Sequence, residues 1–372
     1  MKKSLVFLGL LTLSLPLFAQ YKVRFVINKF PTYHVPSTPV YLVGNFNGWN
    51  PKDDKLRLTN NGITIDLKKG MFEYKFTHGS WDGVESGDGG FPTQNHIISV
   101  ESDTTVQIEI DHWADHFPKK PKESTASKNV QILDTSFYIP QLNRHRRVWI
   151  YLPDSYTSSR KKYPVLYMHD GQNLFDNATA PYGEWGVDEA LDTLSKQDGE
   201  TIVVAIDHGA EKRINEYSPF DMGKYGKGEG DAYIDFLVQT LMPYINKNYR
   251  TKKSAKYTAI AGSSMGGLIS FYAMLKYPYK FGTAGVFSPA FWIVPQLKEL
   301  AVKRASKLKG RIYFYAGGAE SETMVPDMLS VFEAVNKFSK AKMETVVRAE
   351  GRHSEQTWRA EFPLFYQWLM KE

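Results

Sequence analysis

Two hydrophobic patterns divide the chain. In the first third, short segments that alternate apolar and polar residues are separated by turn residues, such as Gly44–Asn45, Asn60–Gly62 and Lys69–Gly70. This spacing predicts a small β-sandwich over residues 20–114. Its strands are predicted at 23–27, 40–43, 63–67, 72–76 and 106–110. Further along the chain, short apolar runs indicate buried strands, among them 165–168, 257–261 and 311–315.

The segment between these regions has no hydrophobic period. Residues 115–128 contain Pro118, Pro121 and the polar run 124–127, and they are predicted to form a linker. At the start of the chain, Lys2 and Lys3 precede an apolar run from Leu5 to Leu15, which Pro16-Leu17-Phe18-Ala19 follows. This pattern predicts a signal peptide over residues 1–19, and hence a periplasmic or secreted protein with no membrane insertion after the signal is removed.

The most informative motif is the run Gly262-Ser263-Ser264-Met265-Gly266-Gly267. It follows the predicted strand 257–261 and precedes Leu268, Phe271, Tyr272 and Leu275, which are spaced as one face of a helix. Strand, Gly-x-Ser-x-Gly and helix together form the nucleophile elbow of α/β-hydrolases, in which the glycines permit a sharp turn that exposes the serine. Ser264 is therefore the predicted nucleophile of an α/β domain over residues 129–372.

A catalytic acid and base follow Ser264 in the order that this fold requires, which is serine, acid, histidine. Glu320 and Glu322 come after the predicted strand 311–315, and Glu320 is favoured because it lies nearer the strand end. His353 follows the predicted strand 344–349 and is the only histidine after Ser264. It would take the serine proton, while the acid holds the imidazole in the correct tautomer.

Attack of the serine on an ester carbonyl gives a tetrahedral intermediate that carries an oxyanion. Stabilisation of this oxyanion requires preplaced N–H donors. The Met265 N–H is predicted as one donor because this residue follows the nucleophile. The loop after the predicted strand 165–168 should supply the other, for which we favour the Gln172 N–H, with Gly171 allowing close backbone approach. His169 and Asp170 precede the nucleophile in sequence, so we expect them to shape this loop.

From about residue 130 onward, the chain resembles the putative-esterase family of α/β-hydrolases. The resemblance rests on residues 163–176, 185–189 and 216–219, the elbow, and residues 351–354. The family includes feruloyl and acetyl-xylan esterases and siderophore (enterochelin-type) esterases. The resemblance implies ester hydrolysis without a metal or cofactor, and the family's Gly-x-x-acid pattern also favours Glu320, which ends Gly317-Gly318-Ala319-Glu320.

Residues 41–51, 72–76 and 79–85 resemble starch- and glycogen-binding immunoglobulin-like modules. Such modules stack an aromatic ring on a sugar, which would make Trp81 and Asn95 the leading sugar contacts, with Trp49 behind them. The alternative is that Trp49 pins a loop to the core and that the module braces its catalytic neighbour. The resemblance implies an α-glucan or another glycan as the ligand of this module.

Composition excludes several classes. The 372 residues contain no cysteine, which excludes disulfides, thiolate metal sites and cysteine nucleophiles. The net charge of +6 is spread along the chain, and no zinc-finger spacing or phosphate-binding loop accompanies it, so nucleic-acid binding is not expected.

Three functions remain. The first is a secreted serine esterase acting on acylated carbohydrate, through removal of acetyl or feruloyl groups, or on another small ester. A siderophore trilactone esterase is the second. A non-catalytic glycan-binding protein represents a different class.

Overall fold

The computed structural model describes residues 20–118 and 122–371, so the predicted signal peptide 1–19 lies outside the described residues. The chain forms two compact units that divide between residues 121 and 122. Residues 122–128, which the sequence assigns to a linker, belong to the second unit. There the Ser124 hydroxyl donates to Asp176 across 2.9 Å, and the Ser127 N–H donates to Asp188 across 2.7 Å.

The first unit is all-β. One three-stranded sheet has the order β3-β1-β7, a second has the order β2-β4-β6, and β5 pairs with β8. The strands are β1 Gln20–Lys29, β2 Tyr41–Gly44, β3 Gly62–Lys68, β4 Gly70–Thr77, β5 Glu85–Ser86, β6 His96–Val100, β7 Thr104–Glu109 and β8 His112–Trp113. The five predicted strands correspond to β1, β2, β3, β4 and β7, and their inward residues form a core that includes Val23, Phe25 and Phe76.

The second unit is an α/β-hydrolase fold. Its eight-stranded sheet has the order β16-β15-β14-β13-β11-β12-β10-β9, parallel except for the pairings of β9 with β10 and of β10 with β12. The strands are β9 Val130–Ile139, β10 Arg144–Tyr151, β11 Val165–His169, β12 Ile202–Ile206, β13 Thr258–Ser263, β14 Thr283–Phe287, β15 Arg311–Gly317 and β16 Lys342–Arg348. The α-helices are α1 Val187–Asp198, α2 Arg213–Glu216, α3 Gly230–Phe236, α4 Met242–Asn248, α5 Met265–Lys276, α6 Gln296–Arg304, α7 Met324–Asn336 and α8 Glu355–Met370.

Helices cover both faces of this sheet, which explains why its central strands are apolar without alternation. In β11, Val165 and Tyr167 point into a core shared with α3, α4 and α5. Leu166 and Met168 point into the opposite core, shared with α1 and α8. Successive side chains of a strand face opposite sides, so a strand buried on both sides is apolar at every position.

Helix α5 is buried more completely than the sequence pattern indicates. The spacing of Leu268, Phe271, Tyr272 and Leu275 predicts one inward face, but every residue of α5 from Met265 to Leu275 is buried. The helix contacts β13 and β14 of the sheet as well as α3 and α6. It therefore holds the residue that precedes it, Ser264, in a fixed position.

Candidate active site

The predicted catalytic residues lie at one edge of the parallel sheet. Ser264 directly follows β13, Glu320 follows β15, and His353 follows β16. The predicted oxyanion residues Gly171 and Gln172 follow β11, the strand that pairs with β13. The carboxyl ends of parallel strands share an edge, which is where α/β folds place their ligands.

The backbone at Ser264 is strained. Its φ of 58° and ψ of −121° lie outside the regions that residues with a side chain normally adopt. A Cβ on Gly262 would lie 3.0 Å from the Gly266 carbonyl carbon, and one on Gly266 would lie 3.2 Å from an Asp170 carboxylate oxygen. The two glycines thus allow the sharp turn that the motif predicts, and the Ser264 side chain is left half-buried.

Glu320 and His353 are in direct contact. Nδ1 of His353 lies 2.6 Å from Oε2 of Glu320, and the Glu320 side chain is only 1% exposed. Because a carboxylate can only accept, Nδ1 is the donor in this bond, and in the neutral imidazole this tautomer leaves the basic lone pair on Nε2. Glu322 is exposed, so the geometry favours Glu320 of the two candidate acids.

Two residues that the sequence analysis missed hold this pair. The buried Ser288 hydroxyl donates to Oε1 of Glu320 across 2.6 Å, and the Trp358 indole donates to the Ser288 oxygen across 2.9 Å. Trp358 also packs edge-on against the His353 ring, with centroids 5.0 Å apart. Ser288 follows β14, which lies in the sheet between β13, before Ser264, and β15, before Glu320. This position could have indicated Ser288 as a residue of the site.

The predicted oxyanion loop is a single 3₁₀ turn, Gly171–Asn173. Its own hydrogen bonds run from Asn173 N to Asp170 O and from Leu174 N to Gly171 O, so they do not use the Gln172 N–H. A Cβ on Gly171 would lie 3.0–3.1 Å from the backbone of Ala205, Ile206 and Asp207, so a side chain there would press against the sheet. Met265 begins α5, where first-turn N–H groups have no intrahelical acceptor.

His169 and Asp170 form no catalytic pair with each other. Nδ1 of His169 bonds the Tyr233 hydroxyl across 2.9 Å, and burial lowers the His169 pKa to about 4. Asp170 binds Arg213 through two hydrogen bonds of 2.7 and 2.8 Å. Burial alone would raise the Asp170 pKa, but the Arg213 charge outweighs it and lowers that pKa. The ion pair of Asp170 and Arg213 anchors the oxyanion loop. No sequence motif indicated Arg213.

The predicted sugar contacts lie in the first unit. The Trp49 and Trp81 rings are neighbours, with centroids 6.3 Å apart and planes inclined by 40°. Trp81 is 38% exposed. Asn95 donates from its amide to Glu73 across 2.8 Å, so part of its hydrogen-bonding capacity is used within the protein.

Within residues 20–118 and 122–371, no group of three or more His, Asp or Glu side chains could hold a metal ion. The helices in this part of the chain also include none that is long and apolar enough to cross a membrane.

The chain is similar to known esterases. Residues 139–368 match the model of the family described as Putative esterase. An uncharacterised protein of Bacillus subtilis, YbbA, is 27% identical over 207 residues, which cover 53% of this chain and 79% of YbbA.

Two similarities extend over both units. An endo-1,4-β-xylanase/feruloyl esterase of Xylanibacter ruminicola is 25% identical over 315 residues, which cover 81% of this chain and 38% of that protein. The second unit is only about two thirds of the chain, so this alignment extends into the first unit. The crystal structure of the enterobactin esterase FES from Shigella flexneri matches with a TM-score of 0.57 at 17% identity, over 94% of this chain and 92% of that chain. At that identity, the match supports the fold alone.

Proposed function

The chain belongs to the Putative esterase family of α/β-hydrolases and is a carboxylic-ester hydrolase, and from this premise we propose that it acts through an acyl-enzyme on Ser264. The observation that carries the proposal is the 2.6 Å hydrogen bond from His353 to Glu320 at the sheet edge where Ser264 emerges. This bond orients the imidazole so that Nε2 is free to accept the serine proton.

The reaction runs in two halves. His353 Nε2 takes the Ser264 proton as the serine oxygen attacks the ester carbonyl, and the Met265 and Gln172 N–H groups stabilise the oxyanion. The C–O bond to the alcohol then breaks, and the imidazolium returns its proton to the departing alkoxide. In the second half, water attacks the acyl-enzyme with His353 again as base, which releases the acid and restores the serine. Glu320 stabilises the imidazolium in both halves.

The first experiment tests the nucleophile. We expect Ser264→Ala to lower kcat on 4-nitrophenyl acetate by about 10⁴-fold or more without changing the melting temperature. Ser263→Ala is the matched control, since it removes the neighbouring hydroxyl of the same motif, and it should keep most of the activity. A fluorophosphonate should label Ser264, as located by peptide mass spectrometry. Equal activity of Ser264→Ala and wild type would refute the mechanism, and an inactive wild type would favour the non-catalytic glycan-binding alternative.

We propose acylated carbohydrate as the substrate, with acetyl or feruloyl as the acyl group. The support is the similarity to the xylanase/feruloyl esterase, which extends over both units. A siderophore trilactone is the second candidate. A hydrolysis panel of acetylated xylan, feruloylated oligosaccharides and a ferric trilactone siderophore tests the choice, and turnover of the siderophore alone would reverse it.

The first unit is proposed to bind glycan through Trp81 and Trp49, with Asn95 as a hydrogen-bonding neighbour. Two adjacent rings, one of them exposed, provide a surface on which a sugar can stack. Affinity electrophoresis in amylopectin or xylan gels should show retardation of the wild type that Trp81→Ala abolishes. Phe91→Ala, which removes another exposed aromatic ring of the same unit, should leave retardation unchanged.

Export is proposed on the sequence of residues 1–19 alone. Fractionation of cells that express the full chain should place the protein in the periplasm or medium, with its new amino terminus at Gln20. Retention of the full-length chain in the cytoplasm would contradict the proposal.

A further inference from the structure

Glu355 is an acid of the site that the mechanism above does not use. It is the first residue of α8 and lies two residues after His353. The Asn173 amide donates to its Oε1 across 3.3 Å, which joins it to the oxyanion loop next to Gln172. Glu355 is therefore bonded to the oxyanion loop and lies on the segment that carries the proposed base.

The surroundings of Glu355 leave its carboxylate with spare acceptor capacity. Burial raises its pKa to about 7, and the Asp170 charge adds to this, while its own backbone N–H, His353 and Arg213 act in the opposite direction. Arg213 directs two of its guanidinium nitrogens to Asp170 and acts on Glu355 through its charge. The bond from Asn173 is long for an amide–carboxylate pair. A partly buried carboxylate that accepts from its own backbone N–H and, through a long bond, from Asn173 can still accept another donor.

The proposed mechanism brings the alcohol half of an ester to the segment that carries Glu355. His353 returns a proton to the departing alkoxide, so the alcohol contacts the imidazole during the reaction. Glu355 lies on the same short segment as His353, and the charges of Asp170, His353 and Arg213 act on it. Tyr182, on the segment that precedes α1, also senses the Glu355 charge, which raises the Tyr182 pKa after burial.

We propose that Glu355 is a specificity-determining residue, which accepts a hydrogen bond from a second hydroxyl on the alcohol and so selects esters of polyhydroxylated alcohols over esters of simple alkanols. This inference rests on the proposed serine-esterase function. An alcohol that lacks the hydroxyl would bury the carboxyl group without a partner, and sites built to bond a hydroxyl reject such analogues strongly.

The test compares two acetates that differ in their hydroxyl groups. For the wild type, kcat/KM for glyceryl monoacetate should exceed that for propyl acetate by about tenfold or more. Glu355→Met removes the acceptor at similar length, and the ratio should fall towards one. Glu355→Gln keeps a carbonyl acceptor without the charge and should give an intermediate ratio. Glu299→Gln, an exposed acid in the first turn of α6, serves as control and should keep the wild-type ratio.

A structural role predicts a different result. If Glu355 acts only by holding Asn173 and the oxyanion loop, both acetates should slow equally in Glu355→Met, and an unchanged ratio would overturn the proposal. If that variant does not fold, Glu355→Gln decides, and a ratio within twofold of wild type overturns it. Residual activity of Ser264→Ala would instead refute the proposed mechanism, so the two failures are distinguishable.

Discussion

His353 donates its Nδ1 proton to Glu320, and the carboxylate that receives it is almost completely buried. Oε1 of the same carboxylate accepts from the Gly317 N–H and the Ser288 hydroxyl, each across 2.6 Å. Three donors on one carboxylate fix its position, and through it the position of the imidazole.

Replacement of that carboxylate should therefore lower the rate while the protein remains folded. We expect Glu320→Gln to lower kcat by about 10²–10⁴-fold, because an amide can hold the imidazole in the wrong tautomer and cannot stabilise its cation. Glu322→Gln, on the same loop but exposed, should have no effect. Steady-state kinetics on 4-nitrophenyl acetate decides between the two acids, and the opposite result would assign Glu322.

The oxyanion loop should not tolerate a side chain at Gly171. The added methyl group of Gly171→Ala would meet backbone atoms at the end of β12, which cannot move without disturbing the sheet. We expect a loss of kcat of about 10–100-fold, since misplaced donors no longer bind the oxyanion. Gly223→Ala is the control, because a Cβ there meets nothing within 4 Å. Equal kcat values for the two variants would contradict the assignment.

The strain at Ser264 should appear in stability measurements. Glycine adopts its backbone angles without a steric cost, whereas alanine does not. Urea unfolding should find Ser264→Gly more stable than Ser264→Ala by about 1 kcal/mol. At Ser263, which is in a regular strand, the same pair of substitutions should give the opposite order. If Ser264→Gly were less stable than Ser264→Ala, the backbone at position 264 would not be strained.

Loss of Arg213 should destabilise the second unit through Asp170. Arg213→Met leaves a carboxylate that is only 7% exposed without its partner, and we expect a loss of about 2–4 kcal/mol in the free energy of unfolding. The double variant Asp170→Asn/Arg213→Met removes both charges and should recover part of this loss. A double variant that is less stable than Arg213→Met would argue against the pair as the cause.

Glu355 should make stability depend on pH. Its pKa rises from 4.5 in the unfolded chain to about 7 in the folded protein. Its contribution is therefore fully present below pH 4.5 and is lost as the pH rises through 7, because the unfolded chain releases the proton first. Relative to Glu355→Gln, the wild type should lose roughly 2–3 kcal/mol between pH 4.5 and 8. If the free energies of unfolding of the two proteins changed equally with pH across this range, the raised pKa of Glu355 would be contradicted.

Local patterns in the sequence predicted the parts of the site that depend on one segment each. The elbow is a strand, a turn and a helix in succession, and Glu320 and His353 each follow a recognisable apolar run. Ser288, Trp358 and Arg213 were not predicted. Their roles depend on the lateral order of the strands and on the packing of α2 and α8, which hydrophobic periodicity does not encode.

The first unit gives a similar lesson. The predicted strands with clear alternation are present, whereas β6, at His96–Val100, was not predicted. It follows irregular structure, and its pairing with β4 rather than its own pattern defines it. In the second unit, Ser124 and Ser127 of the predicted linker are bonded to carboxylates that only the folded structure brings near them.

Ser124 and Ser127 determine where a fragment that contains the second unit alone should begin. A fragment that starts at residue 129 would lose the Ser124 hydroxyl that donates to Asp176 and the Ser127 N–H that donates to Asp188, whose side chain is fully buried. A fragment with the esterase unit alone should therefore begin at Lys122, so that residues 122–128 keep their hydrogen bonds to these carboxylates.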